Sequence, residues 1–424
     1  MAEIKKRGLG VQYYQDDGSP KEVVMVYRGL QVGGIETLIV RLSEYLVSEG
    51  FHVSLVAANG PLAKLLDTRV FFYEVAADFD HMNLSALFVK RISPSAQAIV
   101  MSFDPLSRFM MEYCLSRYYA SGELKDIVHV SGIFHPRAYF NEDENFLHKK
   151  LNIFLARILR NQGLYFMNTA CRDSHAAPLK LNQSEGSIVR IPVKISKASW
   201  EPGVLTDVKI IAVGRLVNFK AYNFGLLDIA EFFSRQDTNV TITIYGDGEQ
   251  HDTLNHEIQA RGLETTVRLA GTLNYFDFAA EVLKYDLFVG MGTAALEAAA
   301  TGIPTLVALD NERTECMGFI HELPAGFIGE HIKNYKTKSL LSCVQSYAQL
   351  EPVKRVELGR LCRERAQESS ESDFFLDLAN VIKKTPVWRA RYFSGLATYF
   401  YFKITQTLPQ WKRAVYAALM GKYT

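Results

Sequence analysis

At 424 residues the chain exceeds what one hydrophobic core usually serves, so two domains are expected. Hydrophobic residues make up 48% and charged residues 22%, the balance of a folded globular protein. A formal net charge of +1 excludes nucleic-acid binding through a basic excess, and five scattered cysteines (Cys114, Cys171, Cys316, Cys343, Cys362), none in a CxxC, fit a reducing compartment without a disulfide or metal framework.

In chain order, the leader MAEIKKRGLG has no apolar core, so no signal peptide is expected. No run approaches the roughly 18 apolar residues of a spanning helix. Val23 to Tyr27 is a β-rich run, and the loop Arg28 to Gly34 follows it. Ile35 to Ser48 places Ile35, Leu38, Leu42, Tyr45 and Leu46 on one side, which predicts an amphipathic helix. Strands are predicted at Val53 to Ala57, Val70 to Val75, Ala98 to Met101, Ile127 to Val130, Tyr165 to Met167 and Ile188 to Ile191. Alternation of this kind means βαβ units and a parallel sheet.

Between Ile191 and Asp207 the pattern lapses into proline, glycine and polar residues, which reads as a linker. A second alternating set follows, with strands at Lys209 to Val213, Val240 to Tyr245, Val267 to Ala270, Leu287 to Val289 and Pro304 to Ala308. The first four run directly into Gly214, Gly246, Gly271 and Gly290. In a doubly wound sheet, ligands bind outside the carboxyl ends of the strands, and glycine there lets backbone N–H groups approach an anion. Arg215 and Lys220 flank an apolar turn just before a helix starting near Tyr222. Two cations beside a helix start suit a diphosphate, though two solvated surface cations would look the same.

The segment Asp286 to Leu306 reads as a buried strand, a glycine turn (Gly290, Gly292), a short Ala-rich helix closed by Gly302, and a further strand from Pro304. Glu297 falls about one turn into that helix, near its positive end. A carboxylate past the carboxyl end of a parallel strand is placed to take both hydroxyls of a ribose. A solvated helix glutamate is the alternative for Glu297 taken alone.

VGRLVNFKA, IYGDGE, LAGTLN and ALEAAATGIPTLVA resemble, in order and spacing, the nucleotide-binding half of the family 4 glycosyltransferases of the GT-B fold. VGGIE and VHVSGIFHP resemble that family's glycine-rich and histidine loops. The resemblance runs from about Val23 to about Lys384 and is stronger in the second half. It implies an α/β protein of two Rossmann-like doubly wound domains facing a cleft, residues 1–198 on the acceptor side and 199–371 holding the nucleotide-sugar. A crossover helix at 372–384 would return to the first domain, and a helical basic-aromatic tail would fill 385–424. Arg215 and Lys220 would bind the diphosphate and Glu297 the ribose, with Gly33, Gly34, Gly214, Gly246, Gly271, Gly290, Gly292 and Thr293 lining the donor. His135 aligns with a donor-contacting histidine and would join Arg215 and Lys220 as catalytic groups. No metal and no cofactor is implied, the nucleotide-sugar being a co-substrate.

One departure stands out. The family pairs two glutamates eight positions apart, and Val289 occupies the first of these positions. Sugar choice and stereochemical outcome are therefore open, and the amides of Gly292 and Thr293 are the groups left for that electrostatic work. His129 lies inside a strand and reads as a packed core residue. Asp78-Phe79-Asp80 resembles a metal–diphosphate motif but reads as a surface loop.

From Lys383 to the end there are eight Lys or Arg and no Asp or Glu, with aromatics including Trp388, Tyr392, Phe393, Phe400, Tyr401, Trp411 and Tyr416. Basic plus aromatic, in runs too short to span, suits a helix in an anionic membrane interface; a helical cap packed on the first domain is the alternative. The family-like fold is complete at Lys384, so a chain truncated there is expected to fold. The sequence thus reads as a cytoplasmic glycosyltransferase, peripheral on the inner face of the plasma membrane. It would move a sugar from a UDP- or GDP-sugar to a saccharide or lipid-linked saccharide in surface-polysaccharide synthesis, with retention and without nucleic acid. The alternatives are a nucleotide-sugar 2-epimerase and a non-catalytic scaffold.

Overall fold

The computed structural model describes residues 22–75, 97–119, 126–140, 146–159, 162–182, 185–195, 199–202, 207–236, 238–388, 396–398 and 400–401. Asp78-Phe79-Asp80 and most of the basic-aromatic tail lie outside the described residues. The chain divides into two compact units, one of Met1–Val189 with Phe375–Thr424, the other of Arg190–Phe374.

The first unit is built on seven strands: β1 (Glu22–Gly29), β2 (His52–Ala58), β3 (Phe71–Glu74), β4 (Gln97–Ser102), β5 (Asp126–Ile133), β6 (Leu164–Phe166) and β7 (Ser187–Ile188). They pair in the order β3-β2-β1-β4-β5-β6-β7, and every pairing is parallel. Val23, Val24, Met25 and Val26 are wholly buried, as a strand covered on both faces requires. Helices α1 (Gly34–Ser48), α2 (Pro105–Tyr119), α3 (Phe146–Ile158) and α4 (Thr169–Leu179) connect them. The strand expected to reach Ile191 stops at Ile188, because after it the chain leaves the sheet and Val193 bridges to Ser370 in the second unit.

The second unit repeats the plan. Its strands β8 (Asp207–Val213), β9 (Asn239–Tyr245), β10 (Val267–Leu269), β11 (Leu287–Gly290), β12 (Thr305–Ala308), β13 (Glu315–Phe319) and β14 (Lys338–Ser339) pair in the order β10-β9-β8-β11-β12-β13-β14. β8 through β12 are parallel, and β13 and β14 add an antiparallel edge. Its helices are α5 (Tyr222–Phe233), α6 (His251–Ala260), α7 (Phe278–Val282), α8 (Thr293–Thr301), α9 (Leu340–Ala348) and α10 (Pro352–Gln367). The core gathers Ile211 of β8, Phe288 of β11, Ala295 and Ala298 of α8, and Phe278 and Val282 of α7.

Two readings of the sequence are corrected here. The stretch taken as a linker carries Trp200 into that same core. Trp200 is 6% exposed and its indole N–H donates to the Tyr285 carbonyl at 2.6 Å, so this Pro/Gly-rich passage anchors a domain rather than merely joining two. The second correction concerns the end of the chain. α11 (Glu371–Lys384) stacks Phe375 on Tyr45 of α1 and buries Leu378 and Ile382. The packing does not end at Lys384. The backbone amide of Trp388 donates to Ile127 of β5 at 2.6 Å, and its indole donates to Glu112 of α2 at 3.0 Å. Tyr401 is buried against Phe109, and its hydroxyl donates to Asn152 of α3 at 2.6 Å. Tyr401 belongs to the first unit's core, and Trp388 packs half-buried at its edge, each with its polar tip on a protein partner. Leu396 and Phe400, by contrast, are exposed. Among the described residues no helix is long and apolar enough to cross a membrane.

Candidate active site

In the second sheet β8 is the first strand, and the order reverses between β8 and its neighbour β11. That reversal splays the loops at the carboxyl ends apart and makes the crevice where doubly wound sheets bind ligands. The two loops there are Gly214 to Lys220 after β8, and Gly290 to Gly292 after β11.

The first loop is held tightly. Leu216 is buried and exchanges backbone hydrogen bonds with the β9 loop, donating to Asp247 at 2.9 Å and accepting from Gln250 at 3.0 Å. Gln250 also donates to the Asn218 side chain at 2.6 Å. The amide of Lys220 donates back to Val217 at 2.9 Å, and Asn311, past β12, donates to the Phe219 carbonyl at 2.8 Å. Glycine is required for this closeness: a side chain at Gly214 would occupy the space of Lys220 Nζ, and one at Gly246 would strike the Gly214 carbonyl.

Lys220 is half-buried with its ammonium lodged beside Gly214, whereas Arg215 is exposed. Burial, then the neighbouring Arg215 charge, pushes the Lys220 ammonium down to about 8. An ammonium disfavoured by burial and a like charge gains from an arriving anion, which would raise its pKa again.

The second loop turns through Gly292, whose φ of 71° is strained for any residue with a side chain. Its amide donates to the Ile328 carbonyl at 2.6 Å, which corrects the expectation that this amide stands ready for the lost glutamate's electrostatic work, and its carbonyl accepts from Ala295 as α8 begins. Orphan amides at a helix start favour an anion. In α8, Ala295, Leu296, Ala298, Ala299, Ala300 and Thr301 are buried, while Thr293, Ala294 and Glu297 are half-buried. Glu297, one turn into α8, is half-buried, and its Oε1 is shut away from solvent. Tyr222, the first residue of α5, lies with its hydroxyl against Gly290 and so joins the two loops.

The structure therefore brings Gly214, Arg215, Lys220, Gly290, Gly292, Thr293 and Glu297 to one end of one sheet. Gly246 and Gly271 follow the adjoining strands β9 and β10. Val289 is fully buried and paired with Leu306, so its position supplies a core side chain and no polar group. The supports given by Tyr222, Asn218, Gln250 and Asn311 escaped the sequence reading. Only the positive φ of Asn311 (61°) hints at a special position, and that is not visible in a sequence.

Gly33, Gly34 and His135 belong to the first unit. Gly33 caps α1 in extended backbone, and His135 is exposed after β5, accepting the Arg137 amide at 3.1 Å. His129 is a core residue, as expected, between Ser102 (3.1 Å) and Glu112 (3.0 Å). Burial opposes the charge on Glu112, yet the His129 hydrogen bond and charge, with Arg108 and Trp388, hold it below its ordinary value. At the reversal point of this sheet Arg28 pairs with Asp104 at 2.6 Å, and Asp104 also accepts the Ser107 amide at the start of α2. The sequence reading missed that pair.

It also missed His175, wholly buried among Tyr139, Phe140 and Phe166, with Nδ1 2.7 Å from the Cys171 carbonyl. Burial, against that hydrogen bond and with His135 nearby, pushes His175 from 6.5 down to about 4. The unfolded chain then binds the proton more readily, so stability falls as pH drops from 6.5 toward 4, at up to ~1.4 kcal/mol per pH unit. Urea unfolding across this range is expected to show that slope, and His175→Leu to flatten it.

Two doubly wound sheets, the second with a glycine-lined, cation-bearing reversal point, define a two-unit α/β protein of the GT-B type. Residues 197–340 match the family of glycosyl transferases group 1. Among solved structures the chain is similar to S. aureus TarM, solved with UDP and alpha-GlcNAc-glycerol (TM-score 0.60, 15% identity, 85% of this chain and 99% of that one). It is also similar to Anabaena HepE, solved with UDP-glucose (TM-score 0.62, 14% identity, 85% and 98%). A third is the lipopolysaccharide outer core galactosyltransferase WaaB (TM-score 0.55, 15% identity, 85% and 99%). No curated protein matches in sequence. The partial family match lies within the second unit, and the likeness of the whole chain to these structures is a likeness of the GT-B fold.

Proposed function

We propose that the protein transfers a sugar from a nucleotide-diphosphate sugar to a saccharide or lipid-linked saccharide, with retention and without a metal, in cell-surface polysaccharide synthesis. The observation that carries this reading is Lys220. A depressed ammonium beside Gly214, with Arg215 next to it and the α8 start across the same reversal point, is arranged to receive a diphosphate. Glu297, one turn into α8 at the same reversal point, takes the ribose hydroxyls. UDP is favoured as the nucleotide because similar structures were solved with it. The exposed Leu396 and Phe400, within a stretch free of acidic residues, suit a peripheral position on an anionic leaflet.

Incubation with UDP-, GDP- and ADP-sugars and a saccharide acceptor is expected to yield a new glycoside of retained configuration. An epimerised donor, or unchanged donor with every nucleotide, would overturn the assignment. Glu297→Gln keeps hydrogen-bonding atoms but loses the charged acceptor, whose bonds are worth about 1.5–3 kcal/mol. Calorimetry with UDP is expected to show affinity reduced by about tenfold or more.

A further inference from the structure

Cys316 of β13 and Cys343 of α9 stand 27 residues apart in sequence, yet their sulfurs are 3.8 Å apart and both thiols are free. The two elements are fastened to each other where the cysteines meet. The Leu340 amide donates to Thr314 at 2.8 Å, and Ser339 caps α9 through the Ser342 amide at 3.3 Å. The surroundings of the two thiols differ. Cys316 is fully buried within the antiparallel edge, paired in register with Lys338 of β14. Cys343 is partly accessible. The Cys316 hydrogen bond, and then the Lys338 charge, favour its thiolate against the cost of burial and against Glu322, which pairs with Lys338 at 2.7 Å, and Glu315. The remaining cysteines are buried, and burial alone pushes Cys114 up to about 12. A buried, neutral thiol is inert, whereas an accessible one with a cation nearby is the reactive kind.

We propose that Cys316 and Cys343 form a reversible dithiol–disulfide site for small-molecule disulfides, Cys343 attacking and Cys316 resolving. The Cys343 thiolate attacks one sulfur of the oxidant RSSR. That S–S bond breaks, and one RS⁻ departs and takes up a proton, leaving a mixed disulfide on Cys343. Cys316 gives up its proton and attacks Cys343 Sγ, expelling the second RS⁻. Two protein thiols become one disulfide while RSSR is reduced to two RSH, so the two electrons end on the oxidant. Closure requires the sulfurs to approach from 3.8 Å to about 2.05 Å. It would bolt α9 to the antiparallel edge.

Full-length protein treated with oxidised glutathione, alkylated in denaturant and digested without reductant is the test. Two of the five thiols are expected to escape alkylation, with a cross-linked peptide joining Cys316 to Cys343 that dithiothreitol releases. Cys316→Ser should trap glutathione on Cys343, and Cys343→Ser should take up none at Cys316. Five alkylated thiols in the wild-type protein, or glutathione retained on wild-type Cys343, would overturn the proposal; both readouts use the unmutated chain and do not depend on a variant folding.

Discussion

Lys220→Ala is expected to lower kcat/KM for the nucleotide-sugar by about 10²-fold or more, the scale for losing one preorganised electrostatic donor. The loss should appear in kcat as well as KM, because charge on the departing diphosphate grows as the glycosidic bond breaks. The pH dependence separates this from a packing defect. The ammonium titrates at about 8 in the free protein, so affinity for UDP should decline as pH rises through that value. Only the protonated form attracts the diphosphate, and the protonated fraction falls in that direction. Lys220→Arg keeps the charge and should move the decline to higher pH. A near-normal kcat/KM in the alanine variant would remove Lys220 from the site.

Truncation after Lys384 is expected to destabilise the first unit severely. Tyr401 is buried against Phe109 and hydrogen-bonded to Asn152, and removing a large buried aromatic costs about 3–5 kcal/mol. Loss of Trp388 takes a donor from the half-buried Glu112, and loss of the buried Thr398 opens a further gap. Against a total domain stability of about 5–15 kcal/mol, these losses together decide folding. Thermal melting should show the transition of the first unit lowered or lost, with aggregation through the exposed apolar surface. Tyr401→Phe offers a graded control, removing one hydrogen bond of about 1 kcal/mol while keeping the ring. A truncated chain that melts like the intact one would contradict this packing. Salt-sensitive sedimentation of the intact chain with anionic vesicles tests membrane attachment separately, since surface attraction is screened within about 10 Å at 0.1 M salt.

Much of the architecture was legible from residues alone. Parallel strands covered on both faces read as unbroken apolar runs, as in Val23 to Tyr27, and helices between them announce themselves by spacing. Glycine after successive strands marked the carboxyl end of the second sheet, because only there must the backbone turn sharply and approach its neighbour. Arg215, Lys220 and Glu297 were legible for the same reason: each sits at a fixed short distance in sequence from a strand end or a helix start.

What escaped depends on contacts between distant residues. β13 lacks any alternation, since its partners come from β12 and from β14, and no local pattern encodes an antiparallel edge. Trp200 looked like part of a linker because its neighbours are polar, although its burial is set by Tyr285 and α8, far along the chain. Trp388 and Tyr401 sat in a stretch whose composition suits a membrane interface equally well. Aromatic residues with a polar tip serve a lipid boundary and a protein core alike, and only the presence of Glu112 and Asn152 at those tips places them inside. Local spacing by itself thus determined the two-sheet plan and the glycine-lined loop that follows β8. The tertiary structure alone decided the pairing of Cys316 with Cys343, the depressed Lys220 and the buried His175, because burial and through-space charge have no counterpart in the order of residues.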